Sequence, residues 1–441
     1  MTLTRRVVIT GLGLVSPLGN SPAALWAALS EGRSGVAPLV QLPPLEGRVT
    51  FGAECREFTG DIENFGDLEK DLKKSIRKAL KMMCRESMMA VAAAQCAIGD
   101  AGFGATPMEP DSSGVVFGSD YMLSPPEDFL AAMTTCGAAA GAFEYDQWGG
   151  AGLKDMNPLW MLSYLPNMPA SHIAIFNNLC GPSNSLTMRE ASGLMSIREA
   201  AQIIERGHAE RMVAGATGTR IHSFKTVHAL QQEQLANPES EPAAASRPFD
   251  AGRTGMVVGE GAGAIVLEEY EGARARGATI YGEVAGTASA AALGEVSTGA
   301  LNGQCERALA SAARAALRAA GMEPGELGHI NAHAAGTTAG DAAEASALGA
   351  ALGAHGASVP VVAVKSSLGN LGAGGGVVET IASLLALHHR ELFGTLNYEQ
   401  ADPACPGLVA TRDRPQGPGE SFLKLSVTPQ GQAAAIVVRR G

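Results

Sequence analysis

Three short segments, far apart in the chain, carry polar side chains where small and apolar residues dominate. The first is CGPSNSLTMREASG at 180–193, in which Glu190 precedes a long helical run. The second is INAHAAGTTAGDAAEASAL at 330–348, a strand ending at His333 and then a helix with Asp341 and Glu344. The third is VKSSLGNLGAGGG at 364–376, with Lys365 and Asn370 in a Gly-rich turn. Each sets its polar groups just past the C-terminal end of a strand. In layered α/β proteins the loops of one sheet edge converge there, so sites assemble at that edge. A carboxylate beside an imidazole can move protons, and an amide can hold a developing oxyanion. Each residue alone has a plainer reading. His333 suits a buried, hydrogen-bonded histidine, Asn370 a left-handed turn, and Glu190 an acid at a helix start.

The elements that must position these groups are legible in the patterning. Strand-like runs fall at 5–13, 113–120, 210–217, 262–270, 279–290, 329–336, 360–367 and 433–440. Helical patterns fall at 75–101, 191–207, 303–320, 341–354 and 376–390. Strands alternating with helices predict a layered α/β fold with parallel pairing. Several strands are apolar throughout, as expected when both sheet faces are covered. DYMLSPPEDF (120–129) and NPESEPAAASRP (237–248) read as surface loops, and a division into halves falls near 255–275. GLGLVSPLG and GEGAGA (259–264) fail the dinucleotide fingerprint. The first has Ser16 at the third glycine position, and the second leads into a strand rather than a helix.

Composition excludes other classes. Apolar residues make up 46% of the 441 and charged residues 17%, enough for a large core. A net charge of −11 argues against a general nucleic-acid binder. The seven cysteines form no C-x-x-C pair, which points to reduced thiols in a cytoplasmic protein rather than a disulfide framework or zinc site. No metal or nucleotide cofactor is indicated. The opening run is broken by Gly11, Gly13, Pro17 and Gly19, so it reads as a buried strand, not a signal peptide. No apolar run approaches the length of a membrane span. One stretch is locally basic: DLKKSIRKALK holds Lys73, Lys74, Arg77, Lys78 and Lys81 on adjacent helix faces. It is either a solvated helix face or a dock for an acidic partner.

Taken together the motifs resemble the β-ketoacyl-ACP synthases of the elongating, ketosynthase II-like type, within the thiolase superfamily. VVITGLGLVSPLGNSPAALWAALSEGRSGV is similar to that family's opening. YLPNMPASHIAI (164–175) resembles its dimer and active-site segment, and RPFDAGRTGMVVGEGAGAIVLEEYEGARARGATIYGEV (247–284) its central run. The resemblance implies a thiolase-like five-layered αβαβα fold of two similar halves. Residues 1–260 would hold the nucleophile position, and residues 261–441 would hold His333 and Asn370. It also implies a homodimer and an acyl thioester substrate delivered by an acidic acyl carrier protein, which would dock on the basic cluster.

The departures from the family pattern are concentrated at the site. Condensing members carry a Cys–His–His triad, with the Cys at a helix N-terminus that favours its thiolate. The Cys follows the Gly of a G-P pair by nine residues, and counting from Gly181 gives Glu190. Cys180 is out of register. His333 keeps the first histidine of an N-A-H-G-T segment, but Ala334 and Ala335 replace its Gly-Thr. Lys365 is kept, while Asn370 stands where the second histidine ends K-S-x-x-G-H. Asp341 and Glu344 match supporting residues. Pro429, Gln430 and Gly431, in SVTPQGQ (426–432), replace a G-F-G-G gate.

A carboxylate can take an acyl group only as a labile anhydride, so ordinary condensation through residue 190 is not expected. The favoured reading is proton transfer on an acyl thioester in fatty acid or polyketide-like biosynthesis. Glu190 would move the proton while His333 and Asn370 hold the enolate. Burial would raise the pKa of Glu190; the helix terminus and a protonated His333 would lower it. The alternative is a non-catalytic, chain-length-factor-like partner in a heterodimer with an active ketosynthase, in which Glu190 needs a partner for its charge. A third route has Glu190 as the base in a condensation without an acyl-enzyme.

Overall fold

The computed structural model describes residues 5–441 apart from 43–47, 105, 293–302 and 414. The first half contributes β1 (Val7–Val15), a small ribbon of β2 (Ala37–Pro38) with β3 (Phe51–Gly52), then β4 (Ser113–Ser119), β5 (Ser183–Thr187), β6 (Arg211–Thr219) and β7 (Glu260–Glu269). The second contributes β8 (Gly282–Ala291), β9 (His329–Asn331), β10 (Pro360–Val362), β11 (Leu408–Val409), β12 (Ser421–Val427) and β13 (Gln432–Arg439). The strand orders are β5-β4-β6-β7-β1 and β11-β10-β9-β12-β13-β8. In each half the first strand pairs antiparallel with the last, the last with its predecessor, and the rest run parallel beyond. The same topology therefore occurs twice, with β11 added at one edge. Val8 opposite Glu283 and Ile9 opposite Gly282 join the two sheets.

Side-chain alternation along these strands makes five layers. In β13, Ala434, Ile436 and Val438 enter one core, while Ala433, Ala435 and Val437 enter another. A strand rotates successive side chains to opposite faces, so a strand covered on both faces is apolar at every position. The inner core receives helices Ser192–Glu205 and Gly375–His389 between the two sheets. The outer face of the first sheet is covered by helices Arg85–Asp100 and Met168–Asn177, and that of the second by Gly303–Ala320 and Thr338–Leu352. Helix, sheet, helix, sheet, helix is the αβαβα architecture. At Gly13 a Cβ atom would lie 2.1 Å from the Ala93 carbonyl oxygen, so the glycines of GLGLVSPLG admit a helix against β1. Among the described residues no helix is long and apolar enough to cross a membrane.

Four expectations change. The 75–101 helix is two helices, Lys70–Ala79 and Arg85–Asp100, separated by a 3-10 turn at Leu80–Met82. The first is a surface helix burying only Ile76 and Ala79, whereas the second is a buried wall, so each takes its own direction. The strand expected at 360–367 ends at Val362, and Lys365 begins a short helix. The strand expected to end at His333 ends at Asn331. The loop at 120–129 begins buried at Asp120 and Met122, because Asp120 answers a buried arginine.

Candidate functional site

Glu190 stands on a tight elbow. β5 ends at Thr187, Arg189 takes a left-handed φ of 49°, and a 3-10 turn at Arg189–Ala191 delivers the chain into the helix from Ser192. Ser192 Oγ accepts from the Met188 N–H at 2.8 Å and donates to the Ser119 carbonyl at 3.1 Å, which fixes the elbow to the end of β4. Glu190 is only 3% exposed, and its partner is Arg220, 1% exposed, just beyond the end of β6. Arg220 Nη2 donates to Glu190 Oε1, and Arg220 Nη1 lies 3.4 Å from Asp120 Oδ2. Arg189 Nε lies 3.6 Å from Glu190 Oε2, and its Nη2 pairs with Glu233 Oε1 at 2.6 Å. Two arginines and three carboxylates thus form one buried cluster.

The charges decide the ionisation of Glu190. Burial pushes its carboxyl up, but the opposing fields of Arg220 and then Arg189 hold it well below the usual carboxylate range. Burial pulls the Arg220 guanidinium down, yet Glu190 and Asp120 hold it above its ordinary value. Glu233 is pushed up, first by burial and then by the charge on Glu190.

His333 sits in a clamped loop. Its N–H and that of Ala334 donate to Glu344 Oε1 and Oε2 at 2.6 and 2.7 Å. Its carbonyl accepts from Lys365 Nζ at 2.8 Å. Lys365 also pairs with Glu379 Oε1 at 2.7 Å, and Lys424 pairs with Glu379 Oε2 while donating to the Ala332 carbonyl at 2.9 Å. Asp341 Oδ1 accepts from Gly336 N–H at 3.0 Å and Oδ2 from Phe249 N–H at 2.9 Å. Burial, followed by the charge of Lys365, holds the imidazole well below its usual pKa, so it is neutral near pH 7. Its Nδ1 has no hydrogen-bond partner within the described chain.

Asn370 is committed elsewhere. Its Nδ2 donates to Met256 Sδ at 2.7 Å, and its Oδ1 accepts from Gly372 N–H at 3.0 Å. The left-handed residues of its turn are Gly369 and Gly372, not Asn370. The 3-10 turn Gly372–Gly374 packs against the Glu190 elbow, so Asn370 approaches the cluster through its neighbours. The structure therefore brings the three predicted segments to one sheet edge, but it pairs Glu190 with Arg220.

The remaining predicted residues lie further out. Pro429, Gln430 and Gly431 form the tight hairpin turn between β12 and β13, closed by Thr428 and Gln432 at 2.9 Å. Lys74, Arg77 and Lys78 are exposed on helix Lys70–Ala79, and Lys73 lies 3.3 Å from Glu63. Lys81, on the following turn, borders a cavity of about 220 Å³ with Asp128, Trp160 and Tyr164. Sequence reasoning missed Arg220, Asp120, Arg189, Glu233, Glu379 and Lys424. Asp120 and Arg220 obey the same rule as Glu190 and His333, being polar residues just past a strand's C-terminal end. That rule would have found them.

Residues 4–273 match the family model of the β-ketoacyl synthase N-terminal domain, and residues 281–399 that of its C-terminal domain. The chain is 32% identical over 403 residues to 3-oxoacyl-[acyl-carrier-protein] synthase 2 of a Synechocystis species, covering 91% of this chain and 90% of the relative. Its structure superposes on the ishigamide ketosynthase/chain length factor with a TM-score of 0.82 at 25% identity, all of both chains being covered. It also superposes on a type II polyketide ketosynthase complex with its acyl-carrier protein, with a TM-score of 0.81 at 25% identity and all of both chains covered. The chain belongs to the β-ketoacyl synthase family.

Proposed function

We propose that this protein serves as a non-condensing, chain-length-factor-like partner of an active ketosynthase, in a pathway whose acyl chains ride on acyl carrier protein. The observation that carries this reading is the buried Glu190–Arg220 pair at the position where the family resemblance puts the nucleophile. A carboxylate held well below its usual pKa has no proton to give near neutral pH and is a poor base for a weak carbon acid. Asn370, the expected oxyanion donor, turns its amide toward Met256 and Gly372. Proton transfer by Glu190 is the second reading, favoured by the unpartnered Nδ1 of the neutral His333. The ion pair weighs against it, because the same arginine that makes burial of Glu190 tolerable also lowers its basicity. Relatives named for acyl-carrier-protein substrates, and the similarity to a ketosynthase/chain length factor, support the class of partner. The exposed cations Lys74, Arg77, Lys78 and Lys81 offer an acidic carrier protein a complementary face.

Co-expression with a Cys-containing ketosynthase, followed by native mass spectrometry and product analysis, tests this. The expected result is a heterodimer whose product length depends on this subunit and whose rate is unchanged by Glu190→Gln. The reading fails if the isolated chain, given acyl- and malonyl-carrier proteins, forms a β-ketoacyl product. It also fails if the isolated chain exchanges α-deuterium in a Glu190-dependent way.

A further inference from the structure

A residue that has lost a nucleophile's role can be replaced by almost any inert side chain. Here the replacement is a charge, and two further buried charges answer it. Asp120 follows β4, Arg220 follows β6, and Glu190 follows β5, so three neighbouring strands each deliver one ionisable side chain to a single point. Gly372 lies against the same point. A Cβ there would be 3.2 Å from Asp120 Oδ2 and 3.6 Å from Arg220 Nε. The cluster therefore fills the space between the strand ends and the Gly372–Gly374 turn. Several of its polar atoms, Glu190 Oε2, Asp120 Oδ2 and the Nε atoms of Arg189 and Arg220, have no hydrogen-bond partner within the described chain. An alkyl chain could satisfy none of them and would strip whatever polar contact they have, which is costly for buried charged groups.

We propose that Asp120, Arg220 and Glu190 form a charged plug that keeps an acyl chain out of the space beside residue 190 in this subunit, with Arg220 as the determinant. The inference rests on the partner-subunit reading and deepens it by saying where the growing chain does not go. Arg220 is the determinant because it alone touches both carboxylates. Without it, Asp120 loses its counter-ion and Glu190 keeps only the longer contact with Arg189. Arg189 and Glu233 are a balanced pair of their own and survive removal of the other three.

The test is a calorimetric titration of the purified chain with S-alkyl pantetheine thioethers bearing ethyl, hexyl and decyl groups. A buried alkyl chain gains on the order of fourfold in affinity per CH₂, which is roughly two hundredfold from hexyl to decyl if all four added groups are buried. The wild-type protein is expected to bind all three equally or not at all. Asp120→Ala/Arg220→Leu/Glu190→Ala removes all three charges together and strands none. Once shown to be folded by circular dichroism, it is expected to recover at least tenfold preference for decyl over hexyl, a fraction of that full burial. Steeply rising affinity in the wild type overturns the proposal, as does a folded triple variant with no chain-length preference. If the triple variant does not fold, the wild-type series alone decides, flat supporting and steep refuting. No second protein is needed, so a flat series with no heterodimer sinks the partner reading and spares the plug. A steep series with a heterodimer does the reverse.

Discussion

Arg220→Met is expected to be far more damaging than Glu190→Gln, although the two side chains are partners. Arg220 serves two acids. At an effective dielectric of about 20, its 3.4 Å contact with Asp120 alone corresponds to about 5 kcal/mol of gross attraction. Burial of the guanidinium offsets much of this, and removing one partner from a buried pair costs about 3–5 kcal/mol. Arg220→Met leaves Asp120 and Glu190 buried with only Arg189 nearby, which is already engaged by Glu233. Glu190→Gln leaves two arginines facing two carboxylates, Asp120 and Glu233. The cluster thus becomes balanced where the wild type carries one excess carboxylate, and the loss is about 1.5–3 kcal/mol for one charge-assisted hydrogen bond. The pH dependence separates the cases further. In the wild type the Glu190 pKa is depressed, so its stabilisation is present above the unfolded value of about 4.3 and is lost only as pH falls through the lower folded value. In Arg220→Met the Glu190 carboxyl loses the largest influence that lowers it while burial still raises it, so the native state binds more protons and stability recovers as pH falls toward about 4. Urea unfolding of both variants at pH 8 and pH 5 therefore gives a gap from wild type that narrows on acidification for Arg220→Met. Equal losses for the two variants, or a gap that widens at pH 5, would refute the assignment of Arg220 as the shared counter-ion.

Three further outcomes are expected. Ala334 holds a left-handed φ of 44°, so Ala334→Gly should raise stability by about 1 kcal/mol, read as a higher urea midpoint. Lys424 is pulled down to about 8 by burial, so the unfolded state binds more protons from about pH 8 to 10.4, and wild-type stability should rise over that window. Lys424→Met, which leaves Lys365 to pair with Glu379, should flatten that rise in thermal melts at pH 7.5 and 9.5. Reversing Lys74, Arg77 and Lys78 to Glu should weaken acyl carrier protein binding about tenfold at low salt and less at high salt, with the melting temperature unchanged.

The fold was legible wherever one rule governed a segment. Helices 303–320 and 376–390 were found because each is a long Ala- or Leu-rich run without an internal Gly or Pro, and their observed bounds are 303–320 and 375–389. β5 was legible only as a strand entering the Glu190 turn, without bounds, because Ser183–Thr187 is a polar edge strand with mostly exposed side chains and no alternation marks it. β12 was missed because Lys424 interrupts an apolar run; only the structure shows that Glu379, from a helix some forty-five residues earlier, neutralises it. The site was legible in position and illegible in pairing. Glu190, His333 and Lys365 announce themselves by family register. Arg220 carries no such register, and nothing local to GTRIHS says that its guanidinium will turn toward residue 190 rather than toward solvent. Counter-ions across thirty residues are a tertiary fact.

Partial retention of the family triad reads differently once those pairings are known. His333 and Lys365, with a polar Asn370, tilt the sequence reading toward an enzyme. Yet Lys365 ties the His333 carbonyl to Glu379, and Glu344 accepts from the His333 and Ala334 N–H groups. The loop between β9 and its following helix is held by these bonds whether or not anything is condensed there. Removing Lys365 would leave Glu379 and Lys424 to balance alone in a buried setting, and removing Glu344 would orphan two buried N–H donors. Both losses fall on folding, not on turnover. Selection for stability is thus sufficient to keep Lys365, Glu344 and Asp341. The same demand extends to Glu190, whose carboxylate is the buried partner of Arg220.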